Sequence, residues 1–272
     1  MAPDAPPQTD ETPARIGMLT PSSNTILEPT TQALIAPMQD RVSVHFTRIR
    51  VMNVGLDSSS DAQFADAPAL AAADLLADAR PDIIAWNGTS ASWRGLDNDR
   101  RLCTAIEART GVLATSAMMA YETLFATMGI RRLGLVTPYT ADIQQAIVAN
   151  LSSIDVEVTA DVHCDLTDNL AIGRIPGYEV ARLCRLVAQS RPDAVAIVCT
   201  NMRGAQLASA LEAEIGIPVL DSVAVTLWGC LARLGIDATA LAPEGRIFAY
   251  LSGEARASPD PDAQTGDEGL SL

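Results

Sequence analysis

The chain repeats itself, and that constrains its fold more than anything else in it. RIGMLTP at residues 15–21 returns as RLGLVTP at 132–138, 117 residues later. RPDIIAWNGTS at 80–90 returns as RPDAVAIVCTN at 191–201, 111 later, and TGVLATS from Thr110 returns as IGIPVLDS from Ile215, 105 later. Three matches in the same order describe two copies of one unit. Within each copy short apolar runs alternate with longer amphipathic ones, the pattern of an α/β protein with mainly parallel sheets. The expected fold class is two pseudo-symmetric Rossmann-like lobes with an interlobe cleft. Apolar spacing predicts strands over 15–20, 42–51, 83–86, 132–137, 156–162, 194–199 and 219–221. It predicts helices over 24–36, 68–79, 98–110, 118–128, 140–151, 178–191 and 203–215. Lobe 1 is expected to span 15–117, completed by 225–252, and lobe 2 to span 118–224. The Pro- and acid-rich stretch 1–14 and the acidic stretch 253–272 read as disordered tails.

Composition removes several function classes. A net charge of −14 argues against a nucleic-acid binder or a polybasic membrane anchor, because phosphate repels such a surface. All 19 basic residues are Arg, which excludes lysine Schiff-base chemistry, lysine-anchored pyridoxal phosphate and the P-loop lysine. Histidine occurs only as His45 and His163, so a multi-histidine metal site is out of reach. The five cysteines are an odd number without a CxxC pair, which favours reduced thiols. No apolar run approaches the roughly 20 residues of a spanning helix, and the N-terminal stretch carries acids where a signal peptide carries bases. The expectation is a cytoplasmic protein with neither nucleic acid nor membrane as partner.

In parallel sheets ligands sit beyond the carboxyl ends of the strands. The repeat places Pro21–Thr25 and Gly88–Ser90 there from lobe 1, and Pro138–Thr140 and Cys199–Asn201 from lobe 2. Gly88 is the mate of Cys199, and Thr89 that of Thr200. Cys199 follows an apolar run and precedes a polar turn and a helix, so a thiol pKa lowered by helix N–H groups is expected there. Cys103, Cys184 and Cys230 lie inside apolar helix patterns and read as core. Thr89, Ser90 and Tyr139 supply donors that suit an oxyanion hole for an enediolate. Asn24, with Thr200 and Asn201, suits a second carboxylate, whereas Asp168-Asn169 by itself reads as a turn. His163 and Cys164 are strand neighbours facing opposite ways, hence no dyad. Arg48 and Arg50 read as a solvated strand face, and Trp93 and Arg94 as shaping the cleft mouth outside the site.

The ordered set PSSNT, GTSASWRG, TPYTADI, TDNLAIGRI and VCTN resembles the Asp/Glu racemase superfamily, in its arylmalonate decarboxylase and maleate cis-trans isomerase branch, over about residues 15–250. The resemblance implies chemistry without metal or organic cofactor, and it places Asn169 near the cleft. Racemases and the isomerase resemble two-thiol enzymes, with one cysteine per lobe; here the first position is Gly88, followed by Thr89-Ser90 as in the decarboxylase. Pro21–Thr25 with its Asn24, and Cys199-Thr200-Asn201, are similar to the isomerase instead. The implied function is a cofactor-independent decarboxylase of malonate-like small dicarboxylic acids, with Cys199 protonating an enediolate held by Thr89, Ser90 and Tyr139. Two alternatives stay open, an isomerase or racemase like maleate isomerase and a non-catalytic binder of small acids. The expected partner is a small carboxylic acid, with a homo-oligomer as an option. Glycine at 88 is expected to leave room for a thiol facing Cys199.

Overall fold

The computed structural model describes residues 12–250, so the expectations for the two tails lie almost wholly outside the described residues. The first half of the chain runs β1 (Ala14–Pro21), α1 (Leu27–Ile35), β2 (Val42–Ile49), α2 (Ser58–Ala62), α3 (Asp66–Ala77), β3 (Ile83–Trp86), α4 (Ala91–Arg94), α5 (Leu96–Thr110), β4 (Leu113–Ser116) and α6 (Ala117–Met128). The second half runs β5 (Arg132–Val136), α7 (Ala141–Ser152), β6 (Glu157–Val162), α8 (Asn169–Ile172), α9 (Gly177–Ala188), β7 (Ala194–Ile197), α10 (Ala205–Ile215), β8 (Val219–Asp221) and α11 (Ser222–Arg233). Ala14, assigned to the tail on sequence, opens β1. Each lobe is a four-stranded parallel sheet, ordered β2-β1-β3-β4 and β6-β5-β7-β8.

The repeat holds at the level of single contacts. Ile16 pairs with Ile83 in one sheet, and Leu133 with Ala194 at the equivalent place in the other. Gly17 and Gly134 occupy matching positions where a helix presses on the sheet. A Cβ on Gly17 would lie 3.2 Å from Leu76 Cδ1, and one on Gly134 would lie 2.9 Å from Val187 Cγ2. The RPD motif acts as a clamp in both copies. Asp82 Oδ2 accepts the Arg15 N–H at 2.7 Å, and Asp193 Oδ2 accepts that of Arg132 at 2.7 Å. Arg80 and Arg191 turn the chain with left-handed φ of 49° and 53°. The clamps fasten the start of the central strand in each lobe.

Strand alternation divides the interior. Ile83 and Ala85 belong to the larger core cluster, which continues through lobe 2, while Ile84 and Trp86 face a second cluster under α3 and α5. The terminal helix of each copy, α6 and α11, pack against each other and join the lobes. Among the described residues no helix is long and apolar enough to cross a membrane.

Each lobe also buries one carboxylic acid at the same place, brought from opposite sides. In lobe 1 it is Asp99 on α5, set against the hydroxyl of Ser116 at the end of β4. In lobe 2 it is Asp221 at the end of β8, whose Oδ2 lies where a Cβ on Gly204 would come within 2.5 Å. Ser116 and Asp221 are repeat mates, and both cap the helix that follows. Asp99 and Gly204 hold the same position counted from the glycines that close their helices, Gly111 and Gly216. Burial pushes both carboxyls up to about 7.

A carboxyl whose pKa is higher folded than unfolded makes the native state bind more protons, so stability falls as pH rises from about 4 to about 7. Asp99→Asn removes that titration. Relative to the natural protein, its melting temperature is expected to improve between pH 5 and pH 8, as followed by circular dichroism. An unchanged difference across that range would show that Asp99 is already ionised at pH 5.

Candidate active site

The site is assembled at the carboxyl edges of the two sheets. β3 runs out into Asn87-Gly88-Thr89-Ser90, and β7 into Val198-Cys199-Thr200-Asn201. Thr89, Tyr139 and Cys199 come together across the lobes. Thr89 Oγ1 and the Tyr139 hydroxyl are 2.9 Å apart, and the same hydroxyl stands beside the Cys199 sulfur, where it favours the thiolate. The Asn201 N–H also points at the sulfur, at 3.4 Å. The Trp93 ring packs edge-on against Tyr139 with centroids 5.1 Å apart, and Phe64 packs against Trp93 at 5.9 Å. Trp93, read from sequence as lying outside the site, is thus the wall that fixes the phenol.

The second group is a seam of amides and hydroxyls. Asn24 Oδ1 accepts the N–H groups of Ile26 and Leu27, both at 2.9 Å, which starts α1. Its Nδ2 donates to Thr200 Oγ1 of the other lobe at 3.1 Å. Asn201 Oδ1 accepts the Thr25 N–H at 3.1 Å, and its Nδ2 donates to the Asn169 carbonyl at 2.5 Å. Asn169 Nδ2 donates to Ser23 Oγ at 2.8 Å. The turn expected at Asp168-Asn169 therefore does bring Asn169 to the other three. Above the seam, residues 52–54 and 167–169 clasp through an antiparallel bridge, with Val54 N to Thr167 O at 2.8 Å and Asn169 N to Met52 O at 2.9 Å.

Three expectations need correction. The first concerns the thiol: α10 begins only at Ala205, so the N–H groups that reach Cys199 belong to the tight turn at Asn201 and Met202. Burial outweighs them and the Tyr139 hydroxyl, and pushes the thiol up to about 11 rather than down. Tyr139 is itself raised well above the usual phenol value by burial and by the neighbouring sulfur, so it remains a donor. The second concerns Gly88, which leaves no room: a Cβ there would fall 2.3 Å from Trp86 Cζ2. The third is Ser90, which joins neither group; it borders a pocket of about 10 Å³ with Trp86, Arg94 and Asp99. Arg48 is exposed, as expected of a solvated strand face, and it also serves as a strut: it donates to the carbonyls of Ser22 at 2.8 Å and Asn24 at 3.1 Å and pairs with Glu28 at 2.9 Å. His163 pairs with Asp165 at 3.3 Å. Among the described residues no three His, Cys, Asp or Glu side chains are placed to hold a metal.

Arranged this way, the hydroxyls of Thr89 and Tyr139 and the protonated thiol of Cys199 form one cluster of donors where the two strand ends meet. Comparisons with known proteins identify relatives of the chain. The arylmalonate decarboxylase family model matches residues 29–248. A maleate isomerase from Nocardia farcinica is 27% identical over 242 residues, covering 86% of this chain and 95% of the relative. An arylmalonate decarboxylase from Bordetella bronchiseptica is 25% identical over 169 residues, covering 61% and 70%. Among solved structures, a Nocardia farcinica maleate cis-trans isomerase carrying a covalently bound succinylcysteine intermediate superposes with a TM-score of 0.80 at 26% identity, covering 87% of this chain and 98% of that one. An arylmalonate decarboxylase crystal structure has a TM-score of 0.71 at 21% identity, covering 86% and 99%, which bears on the fold alone.

Since Cys199 sits at about 11, its thiolate is expected to stay below about 1% at pH 9. Thiolate absorbance of the natural protein minus that of Cys199→Ser, titrated against pH, checks this; a signal near pH 7 would contradict it. Tyr139→Phe removes the donating hydroxyl and is expected to move the transition higher still.

Proposed function

The chain belongs to the arylmalonate decarboxylase family, and from that premise we propose that it is a cofactor-independent decarboxylase of malonate-like small dicarboxylic acids. The observation that carries the reading is the single thiol: Cys199 is buried beside the Tyr139 hydroxyl and kept protonated by that burial, while its mate in the other lobe is Gly88. A protonated thiol is an acid, whereas attack on an alkene or abstraction of an α-proton needs thiolate or a second base.

In the proposed reaction one carboxylate of the substrate lies against Thr89 and Tyr139. The other leaves as carbon dioxide, and the electrons of its broken C–C bond pass to the α-carbon and into the retained carboxylate. Charge on those oxygens grows as the enediolate forms, so donors already fixed in a buried site stabilise the transition state more than the substrate. The α-carbon then takes the proton of Cys199, and the sulfur recovers one from solvent. Trp93 packs on the phenol and Arg48 holds the Asn24 loop, so the donors need little reorganisation.

One observation favours a second reading. The seam of Asn24, Thr200, Asn201 and Asn169 concentrates amides and hydroxyls that suit a second carboxylate in exchange for the bonds they make to one another, and donors on a leaving carboxylate oppose its loss. An isomerase keeps both carboxylates throughout, and the Nocardia farcinica relative is a maleate isomerase. Incubation with substituted malonates, maleate and amino acids in D₂O, followed by proton NMR and carbon dioxide release, separates the two. Deuterium at one new C–H with release of carbon dioxide is expected; conversion of maleate to its trans isomer without gas would replace the decarboxylase. Binding of a dicarboxylate with no turnover would leave a small-acid binder.

On the turned-over substrate, Cys199→Ala is expected to lose at least about a hundredfold in rate, the scale of a positioned proton donor. Tyr139→Phe is expected to lower kcat by roughly ten- to a thousandfold with a smaller change in KM. A raised KM at constant kcat would make Tyr139 a ground-state binder.

A further inference from the structure

The glycine at position 88 is enforced from the far face of the sheet. An ideal Cβ on Gly88 would lie 2.3, 2.6 and 2.8 Å from Cζ2, Cε2 and Cη2 of Trp86. All three atoms belong to one rigid ring. Trp86 is 2% exposed and packed in the cluster that holds Leu19, Ile49, Ala69 and Leu102, and the pocket beside it holds only about 10 Å³, far less than an indole needs to swing aside. Residues 86 and 88 lie two apart at the end of β3, on the same side of the chain by strand alternation.

The second copy shows what the site looks like without the indole. The repeat mate of Trp86 is Ile197, and two residues beyond it stands Cys199 with its side chain in place. Isoleucine at the end of the strand accommodates a thiol two residues on, whereas tryptophan at the matching place does not.

We infer that Trp86 is the specificity-determining residue that holds this chain to single-thiol chemistry: its indole excludes any side chain at 88, and with it a second proton donor on the opposite face of the α-carbon. This rests on the single-thiol decarboxylase reading for its chemical consequence. The steric part stands on the packing alone. The carbanion left by decarboxylation holds one electron pair, which takes a proton from the Cys199 thiol on one face. With a second thiol at 88 the same pair would take its proton from either face, each thiolate recovering a proton from water.

The test is a double-mutant cycle with two readouts. Gly88→Ala is expected to lower the melting temperature by roughly 2–10 °C, the scale of overpacking in a domain of this size. In a Trp86→Ile background, copied from the second lobe, the same change is expected to cost at least threefold less. Trp86→Met, which fills the vacated space with a flexible chain, serves as the background if the isoleucine variant does not fold. Equal penalties in both backgrounds, or no penalty in the natural one, would overturn the inference. This arm uses no substrate, so it reports on Trp86 whatever becomes of the decarboxylase assignment. In the chemical arm, Gly88→Cys combined with the Trp86 change is expected to give racemic product from a 2-substituted malonate, while Gly88→Cys alone keeps one configuration. Racemic product from the single variant, or stereochemically pure product from a stable double variant, would overturn it equally.

Discussion

Parallel pairing sends the carboxyl end of every strand in a sheet to one edge, and the chemistry of this protein depends on two such edges meeting. With the strand orders β2-β1-β3-β4 and β6-β5-β7-β8, the central strands of each lobe, β1 and β3 or β5 and β7, deliver their loops to the same place. The duplicated clamps of Asp82 on Arg15 and Asp193 on Arg132 fasten the opposite ends of those strands. Helices press onto Gly17 and Gly134 at matching positions, and the β1–β3 and β5–β7 registers match residue for residue. The loops themselves are then free to differ, and they do: Asn87-Gly88-Thr89 in one copy stands against Val198-Cys199-Thr200 in the other.

The state of the Cys199 sulfur follows from its surroundings rather than from a helix dipole. A sulfur 3% exposed is costly to ionise, and the few donors around it do not offset that cost. The Tyr139 hydroxyl stands between Thr89 and the sulfur, so one phenol, itself too buried to ionise, links the Thr89 hydroxyl to the thiol. Trp93 secures that phenol from lobe 1, although Tyr139 is rooted in lobe 2.

How much of this was legible in the sequence depended on whether a signal was periodic. The repeat offsets carried the fold because they hold for strand pairing as well as for motifs. β4 escaped because Leu113–Ser116 is short and ends in hydroxyls. α11 escaped because every residue from Ser222 to Leu231 is buried, which erases the amphipathic stripe by which a helix is read. Thr89, Tyr139, Cys199, Asn24, Thr200, Asn201 and Asn169 were all named from strand ends or family motifs, and the structure gathers them into two groups. The low thiol pKa was misjudged because a tight turn separates Cys199 from the first turn of α10. Contacts between distant segments, such as Arg48 on the Asn24 loop, left no trace in spacing. The Trp86 contact did leave one, since residues two apart on a strand share a face, but glycine at 88 read as space rather than as a place already filled.

The exchanged acids record something about the history of the duplication. In lobe 1 the buried carboxyl rides on the helix as Asp99 and meets Ser116; in lobe 2 it rides on the strand end as Asp221 and meets Gly204. Each arrangement is complete only within its own copy. A crossover between the two gene halves falling between helix and strand would confront Asp99 with Asp221, two acids in one dry space, or pair Gly204 with Ser116 and leave a void. Neither copy can therefore replace the other across this contact without burying a second acid or opening a void.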